Sequence, residues 1–233
     1  MSRVTALIVA AGEGRRIGAE APKTYLPIRG RPMVLRTLDR FFATRTVERV
    51  VLVIAANDLS RCETMLRDDS SLGKCAWLLQ GGGATRQQSV SKGLEKIDAN
   101  TELVIVHDGA RPFVSPALID RCVEAARDKS AVVVGLHARD TIKTVSGDRW
   151  VQTTPNRNSL WEIQTPQVFR RDWLVEAHDR AVRDGVDATD DAMLLERMGK
   201  PVFVLDGERT NFKITTPDDV WLAETLIREN RIP

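Results

Sequence analysis

Thr5-Ala6-Leu7-Ile8-Val9-Ala10-Ala11-Gly12-Glu13-Gly14-Arg15-Arg16-Ile17-Gly18, followed closely by Pro22-Lys23-Thr24-Tyr25-Leu26-Pro27, is the stretch around which the chain is organised. The apolar run Ala6–Ala10 ends at small residues and glycines, which predicts a buried parallel strand. The loop after it combines small residues, which let backbone N–H groups approach a ligand, with the cations Arg15, Arg16 and Lys23. Small residues and positive charge just past the carboxyl end of a first strand suit a polyphosphate. The competing reading is that Arg16 and Lys23, which bracket the loop, are solvated surface cations, the ordinary state of any single Arg or Lys.

Outward from this loop, strand-like and helix-like patterns alternate, the mark of an α/β architecture with a mostly parallel sheet. Helical periodicity runs from Pro32 through Phe41, and Val47–Ala55 is a second buried strand. Asn57 or Ser60 caps a more polar helix, and Cys75–Leu79 leads to Gly81-Gly82-Gly83. A helix over 84–97 and a strand over 103–106 follow, and His107-Asp108-Gly109-Ala110-Arg111-Pro112 comes directly after that strand. Ser115-Pro116 is an N-cap with proline at the first helical position, so a helix runs to about Lys129, and Ala131–Leu136 is a fifth strand.

Between about 138 and 160 the texture changes. Thr141–Val145 and Trp150–Thr153 alternate on either side of Gly147-Asp148, which predicts a projecting β-hairpin. Such a two-stranded arm is marginal alone and needs a partner surface. Helices over 172–183 and 190–198, a strand over 201–205 and a closing helix over 217–229 complete the chain. With no repeat and no low-complexity linker, the reading is one domain, 1–233, carrying an arm.

Bulk composition narrows the function. At 233 residues, 42% hydrophobic and 28% charged, the chain can build a core and is not disordered. A net charge of +2 makes the loop cations local and argues against a nucleic-acid partner. No apolar run approaches membrane-spanning length and Met1-Ser2-Arg3 opens no signal peptide, so the cytoplasm is the default. Cys62, Cys75 and Cys122, like His107, His137 and His178, lack the close spacing of zinc sites and read as structural.

Two nucleotide motifs fail on this sequence. Gly73-Lys74-Cys75 and Gly199-Lys200-Pro201 lack the Ser or Thr that a Walker A loop places after its lysine. Gly12 and Gly14 are followed by Gly18, one position late for the dinucleotide fingerprint, and Ala55-Ala56-Asn57 stands where that motif expects an acid. The remaining pattern is a strand, then Ala10-Ala11-Gly12-Glu13-Gly14-Arg15-Arg16, then Pro22-Lys23-Thr24-Tyr25-Leu26.

That pattern resembles the sugar nucleotidyltransferases and, more narrowly, the 2-C-methyl-D-erythritol 4-phosphate cytidylyltransferase family. The likeness continues through Gly82–Val90, His107–Pro112, Arg139-Asp140-Thr141-Ile142-Lys143, Gln164-Thr165-Pro166-Gln167, Thr189-Asp190-Asp191-Ala192 and Asn211-Phe212-Lys213-Ile214-Thr215, in order and over nearly the whole chain. It implies a Rossmann-like three-layer α/β fold and a homodimer whose 138–160 arm reaches over the partner's site. It also implies transfer of a cytidylyl group from CTP to methylerythritol phosphate, with Mg²⁺, in non-mevalonate isoprenoid synthesis. On matching positions, Ala10, Ala11, Gly12, Gly14, Gly83, Ala84, Ser89 and Asp108 would bind CTP, and Arg16 and Lys23 would stabilise the transition state. Asp108, Arg111, Thr141, Thr165 and Thr189 would surround the polyol phosphate, with Arg157 and Lys213 positioning it. Thr24 and Asn156 depart from the family, which usually has glutamine and an acid there.

The chemistry so implied needs positioning and electrostatic stabilisation but no general base, because a phosphate monoester is already nucleophilic near neutral pH. His107 therefore reads as structural, and Asp190 and Asp191, after Thr189 at a helix start, read as capping residues. Two other functions fit the same residues: cytidylyl transfer to another polyol phosphate, such as ribitol 5-phosphate, and nucleotide binding without turnover. The second expects loss of Lys23 or Arg16, and both are present.

Overall fold

A computed structural model describes residues 3–12, 22–72 and 76–232. In chain order it contains β1 (Val4–Val9), β2 (Pro27–Ile28), β3 (Arg31–Pro32), α1 (Met33–Phe42), β4 (Arg49–Ile54), α2 (Leu59–Asp68), β5 (Ala76–Gly81) and α3 (Arg86–Leu94). These are followed by β6 (Leu103–Asp108), α4 (Pro116–Lys129), β7 (Ala131–His137), β8 (Thr144–Val145), β9 (Val151–Thr153) and β10 (Trp161–Arg170). The chain closes with α5 (Arg171–Asp184), α6 (Asp191–Arg197), β11 (Phe203–Asp206) and α7 (Pro217–Arg228).

Seven strands form one sheet in the order β11-β7-β10-β6-β1-β4-β5. β1 lies between β4 and β6, parallel to both, with Ala6 opposite Val50 on one side and Ile105 on the other. Strand side chains alternate between faces, so each strand feeds two cores. Ala6, Ile8, Val50 and Leu52 meet Leu38 and Phe41 of α1, Leu66 of α2 and Leu118 of α4. Leu7, Val51, Val53 and Val104 meet Val90 of α3, Leu174 of α5 and Leu195 of α6 on the opposite face. Helices on both faces of a sheet whose central strands β1, β4 and β6 are largely apolar and buried give the three-layer arrangement expected of the sequence.

The exception to parallel pairing is β10, which runs antiparallel to both β6 and β7. The alternation that marks a strand is broken here, because the register shifts between Gln164 and Gln167 and Pro166 sits in the irregularity. A proline has no N–H to give to a ladder, and a bulge is where an interior strand tolerates it. The hairpin is present but shorter than its sequence pattern, with Thr144 opposite Thr153 and Val145 opposite Val151. Trp150 is 73% exposed and Val151 59%, which leaves an apolar strip on the arm without cover in this chain.

Topology creates the crevice. The chain leaves β1 for β4 and β5 on one side, then returns to β6 on the other, so the carboxyl ends of β1 and β6 diverge into separate loops at a switch point. One bond ties these two ends together, Gly109 N donating to the Val9 carbonyl (2.8 Å), and a second ties the end of β1 to β4, Ala10 N donating to the Val53 carbonyl (2.7 Å). A Cβ at Gly109 would lie 2.7 Å from Ala10 Cβ and 3.2 Å from the Val9 oxygen, so only glycine allows this approach. Beside it His107 is fully buried; its Nε2 bonds the Arg111 carbonyl (3.1 Å), its Nδ1 the Thr165 hydroxyl (3.1 Å), and its ring packs on Phe41.

Two stability measurements check this account. Gly109→Ala, which must push backbone from backbone, is expected to cost about 1–3 kcal/mol in urea unfolding. Gly147→Ala, where a Cβ meets nothing within 4 Å, should stay within about 0.5 kcal/mol of wild type; equal effects would remove the close approach as the cause. Burial pushes the His107 imidazole down to about 4, although the Arg111 bond opposes this. Its folded value lies below the ordinary one, so the unfolded state takes up the proton first. Stability from this residue is then intact above about 6.5 and declines as pH falls towards about 4. Wild type should lose more stability than His107→Gln between pH values of about 7 and about 5, and parallel losses would reject the assignment.

Candidate active site

The cleft at the switch point has a volume of about 320 Å³, the scale of a small-molecule site. Three loops build it. The first, after β1, supplies Ala10, Ala11 and Gly12. Gly14 and Arg16, assigned from the sequence to this loop, lie outside the described residues, as do Arg15 and Cys75.

Lys23 lines the same cleft from a single 3₁₀ turn, Lys23–Tyr25. This turn is held on both sides. Thr24 Oγ1 donates to the Ala10 carbonyl (2.6 Å), and the Tyr25 ring is buried beneath the Arg61 guanidinium at 4.1 Å. The Thr24 bond gives the physical account of threonine at this position: it fastens the lysine-bearing turn to the end of β1.

The second loop follows β5 and contributes Gly83, Ala84 and Thr85. Its conformation is set by α3. Thr85 caps that helix by accepting from Gln88 N, Ser89 Oγ donates to the Thr85 carbonyl (2.9 Å), and Gly83 N donates to Ser89 Oγ (3.1 Å). Ser89 is thus 2% exposed and engaged in shaping the loop, so its contribution at the cleft wall is the backbone it fixes. A Cβ on Gly82 would fall 2.4 Å from Ala11 Cβ, so glycine also lets the first and second loops touch.

The third wall is charged. Asp108, at the end of β6, has one oxygen on Lys213 Nζ (2.7 Å) and the other on Arg86 Nε (3.1 Å). Burial would raise its carboxyl, but Arg86 and then Lys213 outweigh this and hold it well below the usual carboxylate range. Arg111 Nε stands 4.0 Å from Asp108, and its Nη1 donates to the Asn211 carbonyl (2.8 Å). Burial lowers the Arg111 guanidinium, with Asp108 opposing.

The structure therefore gathers Ala10, Ala11, Gly12, Lys23, Gly83, Ala84, Ser89, Asp108 and Lys213 around one cleft. Thr165 is placed differently from its sequence assignment. It is 5% exposed and sits behind Asp108, where its hydroxyl accepts from Asp108 N (3.0 Å) and meets His107; it backs the wall and does not line it. Thr189 is exposed ahead of α6 and outside the cleft lining. Thr141 and Arg157 are exposed on the arm, away from the cleft of their own chain, and Arg157 Nη1 donates to the Arg139 carbonyl (2.6 Å).

Asp190 and Asp191 part company. Asp190 caps α6 by accepting from Met193 N (3.0 Å), as expected, whereas Asp191 points into the protein and binds Arg86 Nη1 (2.8 Å). Arg86 and Thr24 are cleft residues that sequence reasoning left without a role. Arg86 lies within a quoted motif, but its two acidic partners are 22 and 105 residues away. No spacing rule reaches that far.

Comparison with known proteins gives the family. The family model described as 2-C-methyl-D-erythritol 4-phosphate cytidylyltransferase matches residues 4–229. A protein of that name from Symbiobacterium thermophilum is 42% identical over 226 residues, covering 97% of this chain and 93% of the relative. Another of that name from Desulforamulus reducens is 38% identical over 228 residues, covering 98% and 97%. The crystal structure of 4-diphosphocytidyl-2C-methyl-D-erythritol synthase from Anaerococcus prevotii superposes with a TM-score of 0.85 at 31% identity, covering 97% of this chain and 96% of that one. That of the Thermus thermophilus cytidylyltransferase gives 0.77 at 37% identity, covering 97% and 99%. The chain belongs to the 2-C-methyl-D-erythritol 4-phosphate cytidylyltransferase family of nucleotidyltransferases.

Proposed function

We infer that the cleft joins CTP to 2-C-methyl-D-erythritol 4-phosphate, giving 4-diphosphocytidyl-2-C-methyl-D-erythritol and pyrophosphate in non-mevalonate isoprenoid synthesis. The observation that carries this reading is that Lys23 and Lys213 line one cleft together with the small residues Ala10, Ala11, Gly12, Gly83 and Ala84, with Asp108 and Arg86 on its charged wall. A phosphate oxygen of the polyol phosphate attacks the α-phosphorus of CTP; a P–O bond forms as the bond to the bridging oxygen breaks, and the electron pair leaves with pyrophosphate. Both reactants are anions, so positive charge placed where negative charge accumulates is the main requirement.

In this reading Lys23, with Arg16 beyond the described residues, faces the α-phosphate and the leaving group. Ala10, Ala11, Gly12, Gly14, Gly83 and Ala84 receive the nucleoside through backbone groups, and the loop shaped by Ser89 closes over it. Lys213 and Arg111 serve the acceptor phosphate, and Asp108 holds Lys213 or accepts from an acceptor hydroxyl, with Thr165 behind it. Arg157, Thr141 and Thr189 complete the acceptor half. Arg157 and Thr141 reach it from the arm of a second copy, a homodimer supported by the apolar strip at Val145, Trp150 and Val151 that this chain leaves exposed.

Among the described residues no three His, Cys, Asp or Glu side chains gather as a metal cage, and Asp108 is the one carboxylate at the cleft, already matched by Arg86 and Lys213. This donor set would suit Mg²⁺ that arrives with the triphosphate and is carried mainly by its phosphates, with Asp108 the one carboxylate that would stand near it. The ion supplies charge neutralisation on the phosphates. No helix among the described residues is long and apolar enough to cross a membrane, and Cys62 and Cys122 are buried free thiols, which supports a cytoplasmic setting.

Pyrophosphate release is expected with CTP and methylerythritol phosphate together. It should be far weaker with ATP, GTP or UTP, or with ribitol 5-phosphate, and equal rates on ribitol phosphate would sink the acceptor assignment. Lys23→Ala should lower kcat by about 10²–10³; half the wild-type rate would remove Lys23 from its role. Arg157→Ala should raise KM for the polyol phosphate much more than for CTP. Mixing it with Lys23→Ala protein should recover activity, because one hybrid site then has both residues intact. No recovery from exchanging dimers would place Arg157 on its own chain's site.

A further inference from the structure

Behind the charged wall lies a set of groups that neither substrate contact nor helix capping uses. Arg86, at the first turn of α3, divides its guanidinium between two carboxylates: Nε donates to Asp108 Oδ1 (3.1 Å) and Nη1 to Asp191 Oδ2 (2.8 Å). His178 of α5 bonds the other Asp191 oxygen through Nε2 (3.0 Å). Asp191 and His178 are 1% and 2% exposed and do not line the cleft, whereas the Arg86 side chain is 27% exposed and does. Burial would raise the Asp191 carboxyl, but Arg86 and the His178 bond hold it down.

A buried ionic chain of this kind gives little net stability over apolar packing of the same volume, because desolvation consumes most of the attraction. What it gives is position. Drawn by Asp191 on one side, the Arg86 fork engages Asp108 through one oxygen only, and the other oxygen remains for Lys213 at 2.7 Å. Without the charge on Asp191, Asp108 becomes the remaining carboxylate within reach of Arg86. A guanidinium facing one carboxylate closes on both oxygens. Lys213 then loses its anchor, while the nucleotide loops, held by bonds of Thr85 and Ser89, are unaffected.

We propose that His178, Asp191 and Arg86 form a buried positioning chain for the acceptor half of the site, fixing Lys213 through Asp108. The inference rests on Lys213 as a contact of the polyol phosphate, the reading given above. These three are positioning residues, because they act on substrate through another side chain.

The test is a double-mutant cycle on Asp191→Asn and Lys213→Met, with CTP and methylerythritol phosphate varied separately in the pyrophosphate-release assay. Asp191→Asn should raise the acceptor KM by about tenfold and leave the CTP KM within about twofold, and the double variant should be no worse than Lys213→Met alone. Multiplied acceptor effects, or an equal rise in both KM values, would overturn the proposal and leave Asp191 a packing residue. Should Asp191→Asn fail to melt cooperatively, His178→Leu and His178→Gln take its place. Leu should raise the acceptor KM and Gln, which keeps an N–H donor, should restore it; identical values overturn the chain. A working wild type with an insensitive Asp191→Asn defeats this proposal alone, whereas a wild type that releases no pyrophosphate defeats the functional reading with it.

Discussion

The Asp108 carboxylate, shared between Arg86 and Lys213, is the interaction on which the site depends. It stands at the last position of β6, a central strand, where its backbone is paired with Val9 of β1. Its N–H is taken by Thr165 of the antiparallel strand and its two oxygens by cations from α3 and from the segment before α7. One buried anion thus ties β6 to β10, to α3 and to the segment before α7. An enzyme that brings two polyanions together needs cations that stay fixed before substrate arrives, and an anion behind them achieves that at the expense of some net positive charge.

The steric counterpart is the absence of side chains at Gly82 and Gly109. Cβ atoms there would lie 2.4 Å and 2.7 Å from the Cβ atoms of Ala11 and Ala10, so the small residues of the first loop are matched by glycines in the loops facing it. Small side chains at Ala10 and Ala11 thus have two causes. They open a path for ligand to backbone N–H groups, and they let three strand ends converge. Composition alone suggested only the first.

How much was legible follows from the range over which each constraint acts. The first strand, the α/β alternation and the Ser115-Pro116 helix start were readable because their causes are local: apolar runs, a capping hydroxyl, a proline in the first turn. The strand Trp161–Arg170 was not, because Pro166 breaks its alternation and its partners are remote in sequence. Lys23 was legible as a phosphate-binding cation from its place after the first strand, Asp108 and Lys213 only through the family likeness, and the structure brings all three to one cleft. Thr165 was expected at the substrate and instead supports Asp108, a distinction made by burial, which motifs do not encode. Asp191 looked like its neighbour Asp190 because adjacent residues at a helix start share a local signal; only the packing of α5 and α3 gives Asp191 its buried partners His178 and Arg86.

The two departures from the family pattern show how local geometry absorbs substitution. Where the family has glutamine, Thr24 reaches the Ala10 carbonyl at 2.6 Å, so a shorter side chain holds the lysine turn by bonding the nearest acceptor on β1. Where the family has an acid, Asn156 accepts from Asn158 N at 3.1 Å and caps the short turn that carries Arg157. An acid would make the same cap with an added negative charge one residue from the Arg157 guanidinium. Asparagine keeps the conformation and removes that charge, so the arm presents Arg157 with its positive charge undiminished. On this exposed arm screening by solvent keeps the electrostatic difference small.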